Sequence, residues 1–467
     1  MNPSGSGIFA ARSLPSSART QTSGSPPLGS GEGAPRSGWI AAAFLSAFIL
    51  PVSFVPSSRG LVFEIPALPT MWWTDNLLLL FALSVVPIRW LGGASRMPKR
   101  TTRRWFVWPL LLLGMWQVVS LAWNGRDATM RHYSFVQSLC MCAAVCSGVW
   151  LASGLPHATR LQLARGTTLL IAFVIAVYMG LSFVFPSWRP SAEWRDLTTP
   201  SLGFIRVYGP LGTATTLNFL LLPVLGFCVG MSFVPSLGRL IWMGLAVFFI
   251  LAILSTGSRG GVLGLSTFAV LIAAAIRVRA VLFLVPAGFF LAVLVALTGV
   301  PERFRDFEDR ARFETYETAV RAFLDNPRNI VIGTGHGSLY SKLHDDSFRM
   351  MWQRNQFYLA EDQTPFGHTL RNSHSALLRT LTETGVIGSI MLATPLSWMM
   401  WRLLAPSFYR ARDRRNILGK AILAGAVAMI PYMALEEFFI SAFWIVLLWT
   451  MYVVIGVEGI EESVSPP

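Results

Sequence analysis

Three short stretches carry residue types suited to holding an anion such as a phosphate and to taking up a proton. The first is Ser255-Thr256-Gly257-Ser258-Arg259-Gly260-Gly261, a tight break between two apolar runs that leaves one Arg beside the bilayer. An Arg in that position is costly and normally meets an anion. Its guanidinium grips phosphate oxygens in bidentate fashion, and the flanking glycines let a ligand approach the backbone. The bland alternative is a turn whose Arg snorkels to lipid headgroups. The second stretch is Phe204-Ile205-Arg206-Val207-Tyr208-Gly209, where Arg206 adds a second cation, enough with Arg259 for a diphosphate. The third runs from Asn372 to Gly385 and contains His374 and Glu383. Ser373 or Asn372 is expected to cap a helix that starts at His374. A helix N-terminus disfavours the charged imidazolium, so His374 is expected to accept a proton as a general base does. The alternative is a His that merely anchors the helix.

Other polar groups read differently. Ile332-Gly333-Thr334-Gly335-His336-Gly337 lacks the strand and helix of a nucleotide fingerprint. Gly333 and Gly335 are expected to form a close-packed turn whose amides lie near a sugar or phosphate, with His336 as a secondary candidate. His344, Asp345, Asp346, Glu361, Asp362 and His368 match no recognised ligand spacing, so no metal is expected. Cys140, Cys142, Cys146 and Cys228 sit in apolar stretches and read as packing residues.

The elements that must position these residues lie in a membrane. Of 467 residues, 53% are hydrophobic and 13% charged, against roughly 45–50% and 25% in soluble proteins. The formal charge of +14 is Arg-dominated and falls mostly in short loops between apolar segments, which reads as topology and not as nucleic-acid binding. Apolar runs place about twelve transmembrane helices at 39–55, 75–91, 105–122, 135–155, 167–185, 213–234, 240–254, 261–276, 280–297, 386–404, 417–435 and 438–457. The fold class is therefore an all-α membrane protein. One set of alternate short loops holds most of the Lys and Arg, including Arg96, Lys99, Arg100, Arg103, Arg104, Arg402, Arg412 and Lys420. Both termini are then expected in the cytoplasm.

This phase divides the chain into a disordered cytoplasmic tail over 1–37, helices one to nine over 38–298, one large outward loop over 299–385, helices ten to twelve over 386–457, and a cytoplasmic tail over 458–467. The tail over 1–37 is rich in Ser, Gly, Pro and Arg and short of large apolar side chains. The loop between helices nine and ten is long for a connection, and such loops are usually functional or disordered. Within it, Phe313, Tyr316, Val320, Phe323 and Leu324 fall at helical spacing and Asn326-Pro327 ends the run, an amphipathic helix expected at the membrane surface.

Taken together, these residues resemble the O-antigen ligase and polymerase superfamily of bacterial membrane glycosyltransferases. The resemblance rests on Ser258-Arg259-Gly260, on Arg312 leading a helix that ends in Asn326-Pro327 and a Gly-x-Gly turn, and on His374 followed by Glu383 and Gly385. It covers roughly 206–388. The family pattern has Asn after the His and an aromatic two residues further on, where this chain has Ser375 and Leu377. The resemblance implies an inner-membrane enzyme whose site faces the periplasm and which needs no cofactor. It would transfer a polyprenyl-diphosphate-linked glycan to a sugar hydroxyl with inversion. Arg259, Arg206 and Arg312 would hold the diphosphate, and His374 would take the acceptor's proton. Ser258, Gly260, Gly333, Gly335, His336, Glu383 and Gly385 would support the site. Expected partners are the lipid-linked donor, a glycan or lipid A-core acceptor and membrane lipid, with a chain-length regulator and a flippase as further candidates.

Two acceptors are compatible with this chemistry. A polymerase of surface polysaccharide, the preferred expectation, extends lipid-linked repeats, whereas a ligase attaches finished chains to lipid A-core. A twelve-helix transporter is the competing class, but transporters gather charge at the bilayer midplane, and here the candidates gather at the outer face. A non-catalytic assembly protein of the same family is a third reading.

Overall fold

The computed structural model describes residues 62–65, 68–72, 102–124, 128–153, 157–184, 214–234, 238–256, 258–276, 310–338, 375–404, 414–435 and 443–464. The elements are helices α1 (Trp108–Ser120), α2 (Ala128–Ala152), α3 (His157–Val184), α4 (Ala214–Ser232), α5 (Arg239–Ser255), α6 (Arg259–Ile276), α7 (Arg310–Leu324), α8 (Pro327–Ile332), α9 (Ala376–Leu404), α10 (Arg414–Val427), α11 (Ile430–Leu435) and α12 (Phe443–Val464). A π-helical turn, Arg103–Val107, leads into α1, and a 3-10 turn, Leu121–Trp123, follows it.

The all-α class holds, and one short hairpin accompanies the helices among the described residues. Val62–Ile65 and Leu68–Trp72 pair antiparallel as a short hairpin, with Val62 opposite Trp72 and Ile65 opposite Leu68. The β-branched and aromatic side chains of Val62, Phe63, Ile65 and Trp72 favour extended backbone there.

Among the described residues, four helical stretches are long and apolar enough to cross a membrane: Arg103–Trp123, Ala158–Val177, Ala376–Leu404 and Asn416–Ala434. Gln137–Ala152, Leu217–Ser232, Arg239–Ser255 and Gly260–Ala275 are shorter apolar helices. The chain is a multi-pass membrane protein by this composition. The runs expected at 39–55, 75–91 and 280–297 lie outside the described residues, as do both tails.

Packing explains why the helices hold together without water to drive them. Lipid is as apolar as the helix surfaces, so close backbone contact and buried polar pairs take over. A Cβ on Gly226 of α4 would stand 2.3 Å from the Ala421 carbonyl oxygen of α10, and one on Gly425 would stand 2.3 Å from that of Leu222. The two backbones can meet only because both positions are Gly. Phe106, Trp398 and Trp449 form a ring cluster that joins the start of α1 to α9 and α12.

The bundle has two chemically distinct ends. At one, Arg160 of α3 pairs with Glu458 and Arg402 of α9 pairs with Glu461, both on α12. Lys420 donates to the Ala275 carbonyl at 3.3 Å beside them. The antiparallel run of the helices carries the opposite end to the head of α6, to α11, and to the first turns of α9.

Candidate functional site

The head of α9 is built around a break. Its 29 residues would extend about 43 Å at 1.5 Å per residue, whereas a bilayer core is about 30 Å thick. The excess is taken up before Gly385, which sits inside the helix at φ 68, ψ −168. That left-handed φ suits Gly. A Cβ there would also lie 2.4 Å from the Val331 carbonyl oxygen and 2.5 Å from the Gly333 nitrogen.

A break of this kind turns the preceding carbonyls away from the regular ladder, as at a helix end. Three consecutive ones accept from other elements. The Thr334 and Gly335 amides donate to the Thr382 and Glu383 carbonyls, each at 2.9 Å. The Trp116 indole of α1 donates to the Thr384 carbonyl at 2.9 Å. Gly333, at φ 79, allows this docking, because a Cβ on it would stand 2.3 Å from the Glu383 carbonyl oxygen. The Gly333–Gly337 turn is thus close-packed, as expected from sequence, and its surface is the backbone of α9.

Side chains complete the junction. His336 is fully buried. Its amide donates to Ser120 Oγ at 2.8 Å, its carbonyl accepts from the Asn124 amide at 2.5 Å, and its Nδ1 lies 3.0 Å from Glu383 Oε2. Arg379 Nε reaches the same carboxylate oxygen at 3.0 Å. A carboxylate this deeply buried persists only when paired and hydrogen-bonded, and Glu383 has a cation one turn back and a ring across the turn. The Thr382 hydroxyl donates to the Ala319 carbonyl at 3.2 Å and brings in α7. Asn329 Nδ2 donates to the Ala322 carbonyl at 3.1 Å and ties α8 to α7. Asn326 caps α8 by accepting from the Arg328 amide at 2.9 Å, with Pro327 at the first helical position. Helices α7 and α8 are thereby fastened to α1 and α9.

The start of α9 corrects one expectation. The cap is Ser375, not Asn372 or Ser373, and the helix begins at Ala376, not His374. Ser375 Oγ accepts from the Leu378 amide at 3.2 Å, and its carbonyl accepts from the Arg379 amide at 2.9 Å. This hydroxyl satisfies the first-turn amides two or three positions further along than the hydroxyl or amide expected to do so. His374 is therefore the residue before the cap in sequence. Ser375 also stands where the family pattern has Asn, and both residue types cap helices well.

The second group lies at the head of α6. Ser258 is the cap there: its Oγ accepts from the Gly261 amide at 3.4 Å and its carbonyl accepts from the Val262 amide at 3.2 Å. Arg259 is consequently the first residue of α6. Arg312 is the third residue of α7, the amphipathic helix expected from the spacing of Phe313 to Leu324 and found over Arg310–Leu324.

Of the residues singled out in the sequence, Gly333, Gly335, His336, Glu383 and Gly385 come together in one junction. Ser258, Arg259 and Gly260 stand together at the head of α6. Arg206 and His374 lie outside the described residues, as do His344, Asp345, Asp346, Glu361, Asp362 and His368. Sequence reasoning missed Ser120, Asn124, Trp116 and Thr382. It also missed Arg379 as a partner, although its i, i+4 spacing to Glu383 is a readable signal. None of the four Cys is in a disulfide; two are buried and two half-buried, in keeping with packing roles.

Residues 244–393 match the family model described as O-antigen ligase. No curated protein matches the chain.

Proposed function

Because residues 244–393 match the family model described as O-antigen ligase, we propose that this membrane protein is a glycosyltransferase of surface-polysaccharide assembly which moves a polyprenyl-diphosphate-linked glycan onto a sugar hydroxyl. The observation that carries the reading is the span of that match, which contains Arg259, Arg312 and His374 together. The acceptor oxygen attacks the anomeric carbon from the side opposite the diphosphate and inverts it. Its proton passes to the His374 imidazole. The glycosyl–oxygen bond to the diphosphate breaks with its electron pair, and Arg259, Arg206 and Arg312 offset the charge that grows on the leaving group. No metal is required. The site faces the periplasm of the inner membrane, with both termini in the cytoplasm.

The preferred acceptor is another lipid-linked repeat, which makes the protein a polymerase working beside a flippase and a chain-length regulator. The family's own description favours a second reading, ligation of finished chains to lipid A-core. A deletion strain separates them: accumulated single lipid-linked repeats fit a polymerase, and accumulated long lipid-linked chains fit a ligase. His374→Ala and Arg259→Ala are each expected to abolish transfer at normal membrane levels. Wild-type glycan length and amount in both variants would sink the mechanism.

A further inference from the structure

The turn that presents Arg259 is held from the neighbouring helix α4. Asn218 of α4 is fully buried, a costly place for a side-chain amide inside an apolar helix. Its Nδ2 donates to Thr256 Oγ1 at 3.0 Å. The Thr256 hydroxyl lies 2.6 Å from the Ile253 carbonyl oxygen and 3.3 Å from Asn218 Oδ1. Its single proton goes to the shorter contact, so the Asn218 amide acts as the donor of the pair. Thr256 Oγ1 also accepts from the Ser258 amide at 3.3 Å, and Ser258 caps the helix that Arg259 opens.

Contact continues on the far side of Arg259. A Cβ on Gly261 would stand 2.6 Å from Asn218 Nδ2, and one on Gly260 would stand 2.0 Å from Cε2 of Tyr432 in α11. The Tyr432 ring lies 5.1 Å from that of Phe219, the residue after Asn218. Helix α4 therefore braces the residues on both sides of Arg259, through Asn218 on Thr256 and Gly261, and through Phe219 and Tyr432 on Gly260.

We propose that Asn218 is a positioning residue for the anion site at Arg259, fixing the first turn of α6 so that the guanidinium meets a lipid diphosphate. This rests on the donor-site reading above. A purely structural Asn218 would glue α4 to α5 with no effect specific to the anion. The two differ in how its loss combines with the loss of Arg259, since residues acting through one another do not add.

The test measures binding of undecaprenyl diphosphate to the full-length protein in nanodiscs, with thermal melting recorded for every variant. Asn218→Leu keeps the branching of the side chain and suits an apolar helix, and Thr256→Val breaks the same pair from the other side. Each is expected to weaken binding about tenfold, an energy within the usual range for coupled neighbours. The double variant Asn218→Leu/Arg259→Ala is expected to bind no more weakly than Arg259→Ala alone. Asn218→Thr, which restores a donor, is expected to recover part of the loss. Wild-type binding by both Asn218→Leu and Thr256→Val overturns the proposal. So does a double variant that loses the full product of the two single effects. If Arg259→Ala itself binds as wild type, the donor-site reading fails instead.

Discussion

Ser375 and Glu383 sit eight residues apart on one helix and do different work at the scale of single side chains. Ser375 ends the loop by capping α9, and the residue it follows is His374. Ser375→Ala is expected to cost about 1 kcal/mol of helix stability and to lower glycan transfer about tenfold, whereas Ser375→Asn stays within about twofold of wild type. The comparison is read from transfer rates at equal protein levels, and equal rates in the Ala and Asn variants would refute the cap's role. Glu383 serves instead as the common acceptor of Arg379 and His336. Removing one member of a buried pair leaves the rest of the charge in a dry site, so Glu383→Leu is expected to cost about 3–5 kcal/mol. That loss is measured as a fall in the melting temperature of the detergent-solubilised protein, and an unchanged melting temperature would show the junction to be dispensable. The Arg379–Glu383 half of this cluster is legible in sequence because four residues bring two side chains to one helix face. The His336 half is not, because nothing local links residues 47 positions apart.

At the scale of elements, the junction depends on two backbones that touch. Helix α9 breaks at Gly385 where the Gly333 turn meets it, and a Cβ on either glycine would enter the backbone of the other segment. Gly385→Ala combines a left-handed φ with that clash, and its strain alone costs about 1–3 kcal/mol. The expected outcome is separation of α7 and α8 from α9, seen as faster cleavage of the loop by protease added to the side of the membrane that carries the Gly333 turn, while α9 stays inserted. Cleavage at the wild-type rate would contradict the docking described here. The apolar runs foretold α1, α4, α5 and α6 closely, and the amphipathic spacing foretold α7. The apolar run of α9 stops at Val386, because Thr380, Thr382, Glu383 and Thr384 interrupt the hydrophobic pattern, and the helix upstream of it was legible only from its cap, expected at His374 and found at Ala376. Those polar residues are tolerated in a helix because the Thr380 and Thr384 hydroxyls donate to carbonyls of α9 itself, the Thr382 hydroxyl donates to α7, and Glu383 pairs with Arg379 and with His336 of the Gly333 turn. Helix α3 likewise starts at His157, ten residues before the apolar run, where Arg160 finds Glu458 on α12. Long-range partners of this kind leave no periodic trace.

At the scale of the whole molecule, the two ends of the bundle differ in charge chemistry, and that difference bears on which way the protein faces. Arg160, Arg402 and Lys420 gather at one end against Glu458, Glu461 and the Ala275 carbonyl. Arg103 belongs there too, since Phe106, one turn on, packs against Trp398 and Trp449 near Arg402. These residues come from the loops that the Lys and Arg distribution assigns to the cytoplasm, and the structure brings them to a common end although they were counted from separate loops. The Gly333–Gly337 turn, the head of α9 and the head of α6 occupy the other. Lys and Arg are retained on the cytoplasmic side during insertion, so the end that carries Arg259 and the loop should be periplasmic. Reporter fusions at Leu343 are expected to be active only in an oxidising compartment and fusions at Arg412 only in the cytoplasm. The reverse pattern would put His374 on the side where the lipid-linked glycan has yet to be flipped, and the donor chemistry proposed for Arg259 would then lack its substrate.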